Sequence, residues 1–251
     1  MKIIVIGGTG RVGAKIVDRL GGQGHEAVPA APSTGVDTIT GEGLATALEG
    51  ASVVIDVSNS PSFADDAVLE FFTTSTHNLL TAEVAAGVAH HVAMSIVGAD
   101  RLPDSGYLRA KVAQEQLVTA SPVPSSIVRA TQFFEFVESI VAAATESEAV
   151  RVSTMLIQPM AADDVARSVA GVALAAPLNG TVEIGGPQAY PMDELVRRFM
   201  RARRDGRSII ADPHARYFGT ELAERSLVPD AGAELGSINF DDWLAQSLSA
   251  A

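Results

Sequence analysis

The segment Lys2-Ile3-Ile4-Val5-Ile6-Gly7-Gly8-Thr9-Gly10-Arg11-Val12-Gly13 constrains this chain more than any other. Its run of β-branched apolar residues reads as a buried strand. Arg11–Leu20, with Val12, Ile16 and Leu20 on one face, reads as an amphipathic helix that Gly21-Gly22 ends. Between them stands Gly8-x-Gly10-x-x-Gly13, overlapped by Gly7-x-x-Gly10-x-x-Gly13. Such a turn needs glycine torsions, lets the backbone approach a pyrophosphate, and lets helix pack on strand. The helix N-terminus adds free N–H groups and a positive dipole end. Gly7, Thr9, Gly10, Arg11, Val12 and Gly13 are therefore candidate dinucleotide contacts.

The chain then alternates strands and helices, as βαβ units on a parallel sheet do. Strands are expected at His25–Ala30, Val36–Ile39, Ser52–Val57, His91–Val97 and Ser125–Arg129, with helices at Gly43–Leu48, Asp65–Gly87 and Tyr107–Ala120. The prediction is an α/β, Rossmann-type, doubly wound parallel sheet. Beyond about residue 130 the rhythm loosens into helical patches at Phe133–Ala144, Asp163–Leu174, Pro191–Arg204 and Phe240–Leu248, with strand-like Thr181–Ile184 and Ser208–Ile210. No repeat or linker marks a second independent unit. Residues 1–251 are thus expected to form one dinucleotide-binding domain, with about 132–251 contributing a small cap over the substrate.

Thirty acidic against eighteen basic side chains, a net charge of −12, disfavour nucleic acid and anionic lipid as partners. With no cysteine, disulfides, thiolate nucleophiles and iron–sulfur clusters are excluded. The N-terminal apolar run is too short for a signal peptide, so a cytoplasmic location and a small-molecule substrate are expected, with the oligomeric state left open.

The end of the second strand bears on cofactor choice. Sites specific for NAD usually place an acid there for the ribose hydroxyls. This chain reads Ala30-Ala31-Pro32-Ser33-Thr34, with Asp37 only later. Ser33 and Thr34, with Arg11 at the mouth of the turn, suit a 2′-phosphate better than a bare diol, favouring NADP over NAD.

A catalytic constellation follows. Ser95 stands near the carboxyl end of a strand, the side on which open α/β sheets bind ligands. Tyr107 and Lys111, at i and i+4, share one helix face. A tyrosine that exchanges a proton with an alkoxide benefits from a nearby cation that favours its phenolate, and a serine hydroxyl can orient a carbonyl.

These residues, the glycine turn and Ser126-Ile127-Val128-Arg129-Ala130-Thr131-Gln132-Phe133-Phe134 resemble the short-chain dehydrogenase/reductase superfamily. Within it the chain is most similar to the atypical, NmrA-like branch, a likeness that extends to Gln158-Pro159-Met160-Ala161-Ala162-Asp163-Asp164-Val165-Ala166. The resemblance implies Tyr107 as general acid/base, Lys111 on the nicotinamide ribose and lowering the tyrosine pKa, and Ser95 positioning the carbonyl. It also implies adenine-side contacts near Val57 and Ser58, nicotinamide contacts at Thr131, Gln132 and Phe133, and Asn78 as a relay asparagine.

Two functional classes follow. One is an NAD(P)H-dependent oxidoreductase moving hydride between the nicotinamide and a carbonyl, quinone or enone. The other is an NmrA-like dinucleotide sensor without turnover, since many proteins of that branch lack the Tyr/Lys pair. A sugar-nucleotide epimerase is expected to carry a fuller C-terminal part. The adjacent His90 and His91 point to opposite faces of a strand, which disfavours a metal. Asp163-Asp164 and Asp241-Asp242 read as first-turn charges, and the arginines of 197–204 as a solvated helix face. Phe133, Phe134 and Phe136 are either pocket wall or core, and residues 212–219 are a candidate flap over the substrate.

Overall fold

The computed structural model describes residues 1–249; Ala250 and Ala251, the end of the expected domain, lie outside the described residues. Strand β1 (Lys2–Ile6) leads through the glycine turn into α1 (Arg11–Gly22), which continues through both glycines expected to end it. Then come β2 (Glu26–Ala30), α2 (Leu44–Leu48), β3 (Val53–Asp56), α3 (Asp65–Ala86), β4 (His90–Ile96), α4 (Gly106–Ala120) and β5 (Ser125–Ala130). The second half holds α5 (Val137–Ala143), β6 (Thr145–Glu146), β7 (Ala149–Val152), β8 (Leu156–Ile157), α6 (Ala162–Leu174), β9 (Gly180–Gly185), β10 (Tyr190–Pro191), α7 (Met192–Ala202), β11 (Ser208–Ala211), β12 (Glu234–Leu235) and α8 (Phe240–Ser249).

Seven strands pair in parallel in the order β12-β9-β5-β4-β3-β1-β2, so the expected Rossmann-type architecture is present. Alternation along each strand divides the core. Ile3 and Val5 of β1 face α1 and α6, packing with Ile16, Val165 and Val169. Ile4 and Ile6 face α2 and α3, packing with Leu44, Leu48 and Leu79. A sheet buried on both faces explains why its strands read as continuous apolar runs.

The strand expected at Val36–Ile39 is not formed, and β2 is one of the two outer strands of the sheet. The Asp37 carboxylate instead accepts the Ile39 and Thr40 N–H groups at 2.7 and 3.3 Å, folding the segment into a turn.

The loosened rhythm after residue 130 has a physical counterpart in a second core. There α5, α7, α8, β7 and β8 pack around Phe134, Leu195, Phe199 and Phe240, beside Leu102 and Leu108 from the first half. β6, β7 and β11 form a small sheet in the order β11-β7-β6, and β8 pairs with β10. The buried Asp164 ties α6 to the chain before α8 by accepting the Ser237 and Ile238 N–H groups, each at 2.9 Å. Among the described residues no helix is long and apolar enough to cross a membrane.

Candidate active site

The order in which strands are laid down reverses about β1, which has β2 on one side and β3 on the other. The crevice outside the carboxyl ends of β1 and β3 is where open α/β sheets bind ligands. The glycine turn sits in it. Gly7, at φ +75°, lies so close to the loop after β3 that a Cβ there would fall 3.0 Å from Ser58 Cα and from the Val57 carbonyl carbon. A Cβ on Gly8 would come within 2.6 Å of Pro29 Cα, and one on Gly13 within 2.2 Å of the Gly7 oxygen. These three glycines serve the packing of the turn itself. Gly10 differs: it is exposed, and a Cβ there would meet only the Gly7 oxygen, at 3.2 Å. Beside it, the N–H groups of Arg11, Val12 and Gly13 have no protein acceptor among the described residues. Exposed Thr9 and Arg11 flank this opening, and buried Val12 anchors the helix. The residues present therefore fit a pyrophosphate.

A second observation points to the same carboxyl-end side of the sheet. Ser58 Oγ after β3, Ser95 Oγ on β4, and Thr131 Oγ1 and Gln132 Oε1 after β5 are buried without a hydrogen-bond partner. Leaving such a group unpaired costs about 1–3 kcal/mol, so a cluster of them marks a place where a polar ligand completes the bonding. The other unpaired buried atoms are Thr76 Oγ1 of α3 and one each on Glu83, His90 and His91, near the start of β4. There the His91 imidazole meets the Glu83 carboxylate at 2.8 Å, and His90 meets the Ser126 hydroxyl at 2.8 Å. Among the described residues no cluster could hold a metal ion.

Helix α4 brings Tyr107 and Lys111 to this side. Its first turn is capped by Ser105, whose hydroxyl accepts the Leu108 N–H at 3.4 Å. The Tyr107 ring packs against Phe63 and Phe72, and its hydroxyl donates to Asn59 Oδ1 at 2.8 Å. Lys111 is buried and donates to the Met94 carbonyl at 2.8 Å and to Gln114 Oε1, with its ammonium 4.3 Å from the Phe72 ring centre.

This arrangement corrects one expectation. Burial pushes the Tyr107 phenol up to about 12, opposed only by the Asn59 hydrogen bond, and Lys111 does not lower it. Burial also draws Lys111 down to about 8, against the pull of Asp56 and Glu115. The two residues share a helix face, but the lysine directs two of its three N–H donors to the strand and to Gln114 rather than to the phenol.

Other expected contacts divide. Ser33 is exposed just after β2, while the Thr34 hydroxyl is used locally, donating to the Ala31 carbonyl and accepting the Ala31 N–H, each at 2.9 Å. Asn78 donates to the Thr38 and Ile39 carbonyls at 3.0 and 2.9 Å, bracing that turn rather than reaching Tyr107. Phe133 packs on the sheet core and Phe134 is buried in the second core. Phe136 stacks on Phe218 with ring centres 5.3 Å apart. Tyr217, in the candidate flap, is half-buried; burial raises its phenol, and the nearby Tyr107 adds to the shift. Asp56, Asn59 and Gln114 were not expected from sequence. Only Asp56, an acid closing the apolar run Val53-Val54-Ile55, carried a local signal.

No protein-family model matches the sequence, and no curated protein is significantly similar to it. Solved structures are. A dTDP-4-dehydrorhamnose reductase from Clostridium acetobutylicum superposes with a TM-score of 0.74 at 18% identity, covering 99% of this chain and 100% of that one. A short-chain dehydrogenase/reductase superfamily protein from Agrobacterium tumefaciens with bound NAD gives 0.74 at 19% identity, covering 100% and 97%. The chain shares the Rossmann-type fold of these structures. A Thermus thermophilus UDP-glucose 4-epimerase in complex with NAD gives 0.69 at 17% identity, covering 98% of this chain and 93% of that one. The extent of the C-terminal part therefore does not set this chain apart from an epimerase.

Proposed function

We propose that the protein is an NAD(P)H-dependent oxidoreductase that reduces a carbonyl, quinone or enone. The observation that carries this reading is the convergence, at the carboxyl-end side of the sheet, of the open glycine turn, the unpaired Ser58, Ser95, Thr131 and Gln132 groups, and Tyr107 and Lys111. When bound, the nicotinamide supplies or accepts the hydride. The chain's own residues do the rest. The helix N-terminus holds the pyrophosphate, and Ser95 orients the substrate oxygen. Lys111 holds the ribose. Tyr107, kept protonated far above neutral pH by burial, donates a proton as negative charge develops on that oxygen. A phenol so placed suits reduction better than oxidation, which would begin from the phenolate. Arg11 is exposed and makes no ion pair among the described residues, and no acid stands at the end of β2, which supports NADP over NAD.

The second reading is a dinucleotide sensor without turnover. It is favoured by one observation, the Lys111 ammonium's commitment to Met94 and Gln114 rather than to the phenol. NADPH and NADH oxidation against a panel of carbonyls, enones, quinones and sugar nucleotides separates the readings. An enzyme turns over a panel member, and Tyr107→Phe slows it by about 10²–10⁴-fold at unchanged cofactor affinity. Intact dinucleotide binding with no turnover of any member would establish the sensor. Turnover confined to sugar nucleotides would replace the proposed substrate class.

A further inference from the structure

A chain of buried polar groups joins the glycine turn to Lys111. Asp56, 1% exposed at the end of β3, accepts the Ser58 N–H through Oδ1 at 2.9 Å. Its Oδ2 accepts the Gln114 side-chain N–H at 2.9 Å. Gln114, likewise 1% exposed, turns its oxygen to the Lys111 ammonium. A carboxylate only accepts hydrogen bonds. Asp56 therefore fixes the Gln114 amide with nitrogen toward β3 and oxygen toward the lysine, where a flipped amide would present N–H groups to a cation. The same carboxylate pins Ser58, whose backbone abuts Gly7.

We infer that Asp56 and Gln114 are positioning residues for Lys111: the carboxylate orients the amide, and the amide holds the ammonium in place and charged beside the dinucleotide turn. The inference rests on the assignment of Lys111 to the cofactor in the reading above. Burial opposes the ammonium, and the groups around it are few. Asp56 comes from β3, while Glu115 and Tyr107 lie on its own helix, with Glu115 already paired to Arg129 of β5 at 2.7 Å. α3 offers the Phe72 ring and β4 the Met94 carbonyl. The Glu83–His91 pair of α3 and β4 lies beyond, where the Asp56 carboxylate helps to raise both groups.

The chain has only the lysines Lys2, Lys15 and Lys111, so ¹³C-lysine NMR of the cofactor-free protein resolves each titration, with Lys111→Met identifying its signal. Asp56→Asn removes the opposite charge and lets the Gln114 amide turn, which lowers the Lys111 midpoint by about one pH unit or more. Gln114→Leu lowers it as well, and Gln114→Glu raises it. A purely structural role moves stability without moving the midpoint in opposite directions. Should Asp56→Asn fail to fold, the two Gln114 variants carry the same prediction. Coincident midpoints in the folded variants overturn the inference. A parallel titration of NADPH affinity between about pH 6 and pH 10 tests the underlying reading, since binding weakens as Lys111 loses its proton. Midpoints that shift in the NMR while affinity does not follow uphold the positioning chain and remove Lys111 from the cofactor site.

Discussion

Gly10 and Gly13 belong to one motif, yet the structure gives substitutions at them opposite consequences. Gly10 is at φ −80° and ψ 175°, backbone that any residue adopts, and a Cβ there meets only the Gly7 oxygen at 3.2 Å. Gly10→Val should therefore leave stability within about 1 kcal/mol of the unmodified protein. The new side chain projects into the space above the free N–H groups of α1, where a phosphate would lie. Losing two charge-assisted hydrogen bonds at about 1.5–3 kcal/mol each removes about 3–6 kcal/mol, roughly 10²–10⁴-fold in affinity. At Gly13 a Cβ would sit 2.2 Å from the Gly7 oxygen and 2.7 Å from Gly8 Cα, both backbone atoms held by the sheet. Gly13→Ala should cost at least about 2–3 kcal/mol, a fall of roughly 4–12 °C in Tm for a chain of this size. Thermal unfolding and calorimetry with NADPH on both variants give the comparison. Undiminished binding by Gly10→Val would refute the turn as the pyrophosphate site. Unfolding of Gly10→Val as severe as that of Gly13→Ala would refute the claim that the fold leaves this position open.

Cofactor choice, buried charge and the tie between the two cores give further tests. If Ser33 and Arg11 receive a 2′-phosphate, NADPH should bind at least about tenfold more tightly than NADH, and Ser33→Asp should invert the order; equal affinities in competition calorimetry would remove the NADP assignment. The Lys111 pKa lies near 8 in the folded protein, below its ordinary 10.5, so between those values the unfolded chain holds a proton that the folded one has lost. Stability therefore rises across that window, and Lys111→Met, which removes the penalty for burying the ammonium, should show no such rise. The difference amounts to about 3 kcal/mol at most, and chemical denaturation at successive pH values checks it. Asp164→Ala strands the Ser237 and Ile238 N–H groups, so urea unfolding should show a loss of roughly 2–5 kcal/mol; a loss below about 1 kcal/mol would mean that α8 is held by its apolar contacts alone.

The sequence by itself determined what depends on residues close together along the chain. The β-branched run, the glycine spacing and the Val12/Ile16/Leu20 stripe specify β1, the turn and α1 through torsions and periodicity that need no distant partner. The same local signals place α3, α4, β4 and β5 within a residue or so of their observed ends, and with them Ser95, Tyr107 and Lys111. Where an element owes its existence to a neighbour, local pattern misleads. Val36–Ile39 has a strand's composition, but it pairs with no strand, and the Asp37 carboxylate bends it into a turn. β6, β8, β10 and β12 are two residues each, too short to carry any periodicity. Of the surroundings of Lys111, α4 itself supplies Gln114 and Glu115, and tertiary structure decided the rest. Asp56 and Gln114 are 58 positions apart and meet because β3 lies beside β4 beneath α4. Tyr107 finds Asn59 across 48 positions. The i, i+4 spacing of Tyr107 and Lys111 says that they share a helix face; which partner each takes, and hence which way each pKa moves, is set by what the sheet and α3 bring against that face.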